Sequence, residues 1–148
     1  GHTVGSHTLH HLRLSELSYA DKRREIIDSG NLLEQHIGVA VKWFAPPFGN
    51  LSSVDVNSYH LIAQRYEFSC TGLRGSNSKS THPLGLLREQ LDLTSPHHYQ
   101  MLVIEGGLDF YYRSHVRKLR SWLEHIDRTG HANNQSVDYP DDSSTCGN

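Results

Sequence analysis

Three histidines fall close together near the start of the chain: His7, His10 and His11 in "VGSHTLHH". His7 and His11 stand at i and i+4, and on a helical turn that spacing directs both rings to one side, where two imidazole nitrogens can meet one ion. His10 then points away. Divalent zinc is the usual partner of such a pair, and cobalt, nickel or iron accepts the same ligands. The plainer alternative is three polar rings crowding a loop ahead of a helix. A second cluster, "KWFAPPFG", sets Trp43, Phe44 and Phe48 around Pro46 and Pro47. These aromatic rings flank a rigid proline turn, although Phe44 also reads as strand core. Arg88, in "LLREQLDL", is a candidate to orient a carboxylate or bind a substrate oxygen, against an ordinary surface arginine.

These residues need elements to hold them. From Ser18, "SYADKRREIIDSGNLLEQHIG" has a capping-box start, with Asp21 three residues on, and a Gly38 stop. Tyr19, Ile26, Leu33 and Ile37 fall on one stripe of the helix so defined. "VAVKWFA" then reads as a buried strand halted by Pro46 and Pro47. A second helix is predicted over 53–66, with Val56, Tyr59, His60 and Ala63 inward, and "EFSCTGL" reads as a strand. The turn-forming residues of 74–85 predict a loop. "YQMLVIEGG" predicts another buried strand, and a last helix over 114–126 turns Val116, Leu119, Leu123 and Ile126 inward. Residues 129–148 are polar and acidic, with the composition of a disordered tail. The expected organisation is thus one domain over 1–128 followed by that tail. Alternating helices and buried strands argue for an α/β fold with a mostly parallel sheet, whose chemistry sits at the carboxyl ends of the strands.

The run from "GHTVGSHTLHHLRLSELS" through "LLEQHIG" to "VKWFAPPFG" resembles the polysaccharide deacetylases of the NodB-homology family, carbohydrate esterase family 4. The family's H-[ST]-x-x-H motif is met by His7, Thr8, Leu9, His10 and His11. Its proline motif, ending in Pro-Tyr/Phe-Gly, is met by Pro46, Pro47, Phe48 and Gly49. The match is close over 1–50 and looser beyond. The resemblance implies a distorted (β/α) barrel in which two histidines and an aspartate hold a divalent metal, here with His7 and His11 as the histidines. It further implies a second aspartate as base, a late histidine as acid, and the backbone N–H of Phe48 as donor to the oxyanion. Trp43, Pro47, Phe48 and Arg88 are the expected substrate contacts.

The sequence departs from that pattern in two places. The family's aspartate pair lies upstream of the histidines, whereas no acidic residue precedes His7. The chain, which opens on Gly1, is therefore read as a partial barrel lacking its first strand, short of the third ligand and the base. The family's late Leu-x-x-His aligns with Leu102, Val103, Ile104 and Glu105, placing Glu105 at a strand end as a possible general acid; a carboxyl group serves so when burial raises its pKa. His97 and His98 are alternative donors.

A net charge of −2 over 148 residues provides no electrostatic footprint for nucleic acid or an anionic membrane. No apolar run reaches the length of a membrane span. The expected function is a zinc-dependent hydrolase of carbon–nitrogen bonds other than peptide bonds. It would remove N-acetyl groups, or alternatively O-acetyl groups, from a bacterial surface polysaccharide or its precursor. The alternatives are a non-catalytic carbohydrate-binding relative of the same fold and a generic metal-binding α/β domain.

Overall fold

The computed structural model describes residues 2–133 of the chain. Among them, β1 (Gly5–Ser6), β2 (Trp43–Phe44) and β3 (Phe68–Ser69) form a parallel sheet in sequence order, with Gly5 opposite Trp43 and Trp43 opposite Phe68. Cys70 pairs with Leu86, and Arg88 N–H donates to Leu73 C=O, so a fourth extended segment lines the far edge. The sheet does not close into a barrel within these residues. The expected partial barrel is thus realised as a short open parallel sheet with its helices.

Strand alternation separates two faces. Ser6, Phe44 and Ser69 are buried on the face covered by the helices, while Trp43 and Phe68 stack on the other at a centroid distance of 4.4 Å. The core lies on the helix side and gathers Leu14, Ile26, Phe44, Tyr59, Ile62, Leu119 and Leu123.

Between β1 and β2 runs one continuous helix, made of α1 (Tyr19–Arg23), a π-turn (Arg24–Asp28) and α2 (Ser29–Ile37). Ser18 caps its start by accepting the Asp21 N–H, and Gly38, at φ 70°, ends it, as the sequence predicts. The expected stripe holds only in the middle. Ile26 is buried and Leu33 partly so, whereas Tyr19 and Ile37 are exposed; Lys22, Glu25 and Ser29 are buried instead. The π-turn inserts an extra residue into the winding, so a single 3.6-residue period cannot describe both ends. The Ile26 carbonyl there is taken up by the hydroxyls of Tyr66 (2.7 Å) and Ser29 (3.0 Å).

Helix α3 (Val56–Arg65) is capped by Asp55, which accepts the Ser58 N–H. The same carboxylate takes the buried ammonium of Lys22, tying α1 to α3. The fully buried face of α3 is Ser58, Tyr59, Leu61 and Ile62; of the expected inward residues Tyr59 is buried and Ala63 packs against the core, whereas Val56 and His60 are only partly buried.

The strand predicted over 99–107 is a helix, α4 (His97–Ile104), of which only Val103 is buried. A short unbroken apolar run does not distinguish strand from helix. Here Pro96 precedes the first turn, Gly106 at φ 74° follows the last, and the parallel pairing ends at Leu86–Arg88. Helix α5 (Arg113–Asn133) buries Leu119, Leu123 and Ile126, as expected, with Val116 packed against the core. Residues 129–133 continue α5; the rest of the tail assigned to 129–148, including Cys146, lies outside the described residues. No described helix is long and apolar enough to cross a membrane.

Candidate metal site

The histidine loop leaves the carboxyl end of β1. It is not helical: Thr8 (φ 68°) and His11 (φ 57°) both adopt the left-handed conformation, which corrects the helical turn expected for the i, i+4 pair. The two left-handed residues reverse the chain, and the Thr8 hydroxyl accepts the His11 N–H at 3.1 Å to close the turn. The His7 and His11 rings come to a centroid separation of 5.0 Å, inclined at 65°. Each left-handed non-glycine residue costs about 1–2 kcal/mol, so the surroundings must hold the loop.

Glu25 does so. Its carboxylate is buried and accepts the N–H groups of Leu9 (3.0 Å) and His10 (2.9 Å) together with Nδ1 of His10 (2.6 Å). Burial alone would raise its pKa, but the His10 ring and the two backbone donors outweigh it and hold the group below the usual glutamate range. His10 is thereby anchored away from His7 and His11. Neither Glu25 nor its role is anticipated above; the available signal is a carboxylate beside Ile26 on a helix face that must be buried.

His7 is oriented by the next loop, where its Nδ1 lies 2.5 Å from the Ala45 carbonyl. A carbonyl only accepts, so Nδ1 carries the proton and Nε2 keeps a lone pair in the ring plane. That loop leaves the carboxyl end of β2 through the buried Pro46 and Pro47 and turns at Phe48 (φ 64°) and Gly49 (φ 68°). A Cβ on Gly49 would stand 2.7 Å from the backbone of Gly72, whose N–H donates to the Gly49 carbonyl. Phe48 is half exposed, with its ring 4.9 Å from that of His11 and the Arg13 guanidinium 4.7 Å from the ring centroid. Arg13 is a second neighbour that the sequence reading omits.

The structure therefore brings His7, His11, Phe48 and Arg13 together, and of these His7 lines a cavity of about 230 Å³ walled by Ser6, Leu9, Leu32 and Leu33. Pro47 is buried, its carbonyl accepting the Ser53 hydroxyl. Trp43 lies within the sheet, stacked on Phe68. Arg88 donates through Nε to the Thr71 carbonyl at 2.6 Å. Glu105 caps α4 and is exposed, lining a separate cavity with Gly75, Asp109 and Arg113. The strand end and the burial that its expected role as acid requires are both missing. His97 and His98 open α4 and are exposed. Among the described residues, no group of three or more His, Cys, Asp or Glu side chains gathers around one point.

The polysaccharide deacetylase family matches residues 1–66, the stretch holding both loops of the cluster. Over that stretch the chain is similar to the polysaccharide deacetylases. A curated relative, the uncharacterized protein YlxY of Bacillus subtilis, is 38% identical over 50 residues, covering 34% of this chain and 16% of the relative. Among solved structures, the Streptococcus pyogenes deacetylase PplD is similar over 57% of this chain and 36% of its own, with a TM-score of 0.52 and 24% identity. The Bacillus cereus polysaccharide deacetylase BC0361 is similar over 67% of this chain and 30% of its own, with a TM-score of 0.55 and 24% identity. These two likenesses concern the fold, which is consistent with a partial deacetylase domain. The chain spans well under half the length of each of these proteins.

Proposed function

We propose that the chain contributes to a metal-dependent carbohydrate deacetylase that hydrolyses N-acetyl groups, with O-acetyl groups as the alternative, on a polysaccharide or its precursor. The supporting observation is the juxtaposition of His7 and His11, with the Nδ1 proton of His7 committed to Ala45 and its Nε2 left able to ligate. The pair fits two corners of a tetrahedral zinc site, and cobalt, nickel or iron could take the same two nitrogens. A catalytic site needs a third protein ligand, which on this reading comes from outside the described residues. When bound, a divalent cation polarises an acetyl carbonyl and makes water acidic enough to ionise near neutral pH.

The remaining roles belong to this chain's own groups. The N–H of Phe48 has no acceptor among the described residues, and its ring packs against that of His11; the N–H can donate to the oxygen that gains charge when the carbonyl is attacked. The left-handed turn at Phe48 and the close Gly49–Gly72 contact fix that N–H before substrate arrives. The exposed Phe48 ring offers a sugar an apolar edge, and the Arg13 guanidinium packed against it can donate to sugar hydroxyls. The acid and the base are not assigned within the described residues. PplD was solved with acetate, the product this chemistry would release.

The test is acetate release from an N-acetylglucosamine oligomer by the zinc- or cobalt-loaded protein with the segment that supplies the third ligand and the base present. Metal-dependent release that His7→Ala and His11→Ala abolish is the expected result. Glycan binding without release would instead support the carbohydrate-binding alternative.

A further inference from the structure

A second cavity, of about 340 Å³, lies between the loop that leaves β3 and the first turns of α5. Arg74, Arg113, Arg117 and Arg120 line it, with Asp109 as the one lining carboxylate. The three arginines of α5 stand at i, i+4 and i+7, so one helix face carries them all, and like charges so spaced repel. None of the three forms an ion pair among the described residues.

Arg74 is the inner member. Its Nη1 is buried without a hydrogen-bond acceptor among the described residues. Glu89 approaches it only to 3.7 Å, while the other oxygen of Glu89 accepts the Gly75 N–H. A buried guanidinium donor without a hydrogen-bond acceptor is costly, and an oxyanion supplies the acceptors that would satisfy it. The loop bearing Arg74 leaves the carboxyl end of the parallel sheet, the end from which the His7 and Phe48 loops also leave. In α/β folds, ligands bind at that end.

We infer that this arginine cavity binds an oxyanion, a phosphate or a carboxylate, carried by a sugar. The oxyanion is argued from the arginines alone; that a sugar carries it rests on the deacetylase reading. The site would hold a charged group of the glycan apart from the reacting acetyl group.

The test is a titration of the protein with inorganic phosphate at low ionic strength, followed by the amide signals of Gly75 and Ser76. Saturable shifts are expected, weakened about tenfold or more in the double variant Arg117→Gln, Arg120→Gln. Arg128→Gln, on the same helix outside the cavity, should leave them unchanged. Glucose 1-phosphate binding more tightly than phosphate would identify a phosphate-bearing sugar, and glucuronate doing so would identify a carboxylate-bearing one; glucose itself should not bind there. Absence of saturable shifts, an unaffected double variant, or equal weakening by Arg128→Gln would overturn the oxyanion site. If neither charged sugar improves on phosphate, the assignment to a sugar fails. Neither metal nor an acetyl group enters this measurement, so its outcome is independent of the deacetylase assay.

Discussion

The carboxylate of Glu25 stands 2.6 Å from the ring Nδ1 of His10 and also takes the backbone N–H of His10. The middle histidine of the loop is thereby tied to the helix behind it, and His7 and His11 are left facing each other. One buried acid thus decides which two of the three imidazoles share a side.

The first prediction concerns that acid. Glu25→Gln keeps the shape but replaces a carboxylate oxygen with an amide NH2, which opposes the N–H groups it should receive. Unfolding free energy should fall by about 2 kcal/mol, as read from urea denaturation. If Glu25 positions the loop, zinc affinity at His7 and His11 should fall as well. A stability loss with unchanged metal affinity would reduce Glu25 to a packing role.

Acid should act through Glu25 and Asp55. For Asp55, burial pushes the carboxyl pKa up, but the Lys22 ammonium and the Ser58 hydroxyl and N–H overcome this and leave it lowered; Glu25 is lowered for the reasons given above. A carboxylate whose folded pKa is depressed contributes stability that is fully present above its unfolded pKa, about 4. That stability is lost as pH falls through the lower folded value. The protein should therefore keep these contributions at neutral pH and lose them below about pH 4. In the variant Glu25→Gln, Asp55→Asn, the dependence of unfolding free energy on pH should flatten in that window; an unchanged slope would show that other groups govern acid unfolding.

Two glycines at similar φ should respond differently to the same change. A Cβ on Gly38 meets nothing within 4 Å, whereas one on Gly49 meets the Gly72 backbone at 2.7 Å. Gly38→Ala should cost about 1 kcal/mol, the strain of a left-handed residue. Gly49→Ala should cost about 3 kcal/mol or more, because the PPFG loop must also separate from Gly72. Thermal melts of the two variants provide the comparison, and equal losses would mean that the Gly49–Gly72 approach does not constrain the loop.

What the sequence makes legible is what is local. Ser18 and Gly38 mark the ends of the first helix because caps act over a few residues, and the spacing of Leu119, Leu123 and Ile126 marks the buried face of α5. The spacing of His7 and His11 points to their proximity but not to its cause, since the left-handed turns at Thr8 and His11 are held by tertiary hydrogen bonds from Leu9 and His10 to Glu25 as well as by the local Thr8–His11 bond. Arg13 escapes notice for the same reason: its partner, Phe48, lies on another loop. The apolar run around Val103 reads as a strand because hydrophobicity alone cannot show that no neighbouring strand is there to pair with it. Glu105 moves with that helix, away from a strand end.

The central claim is that His7 and His11, without His10, form one metal-binding pair. It is tested most directly by titrating zinc into the protein and following the ring nitrogens of all three histidines by NMR. The ring nitrogens of His7 and His11 should respond together with a single apparent affinity, His10 should remain bonded to Glu25 and unmoved, and either His7→Ala or His11→Ala should remove the response. Equal responses from all three rings, or a response that survives both substitutions, would contradict the account.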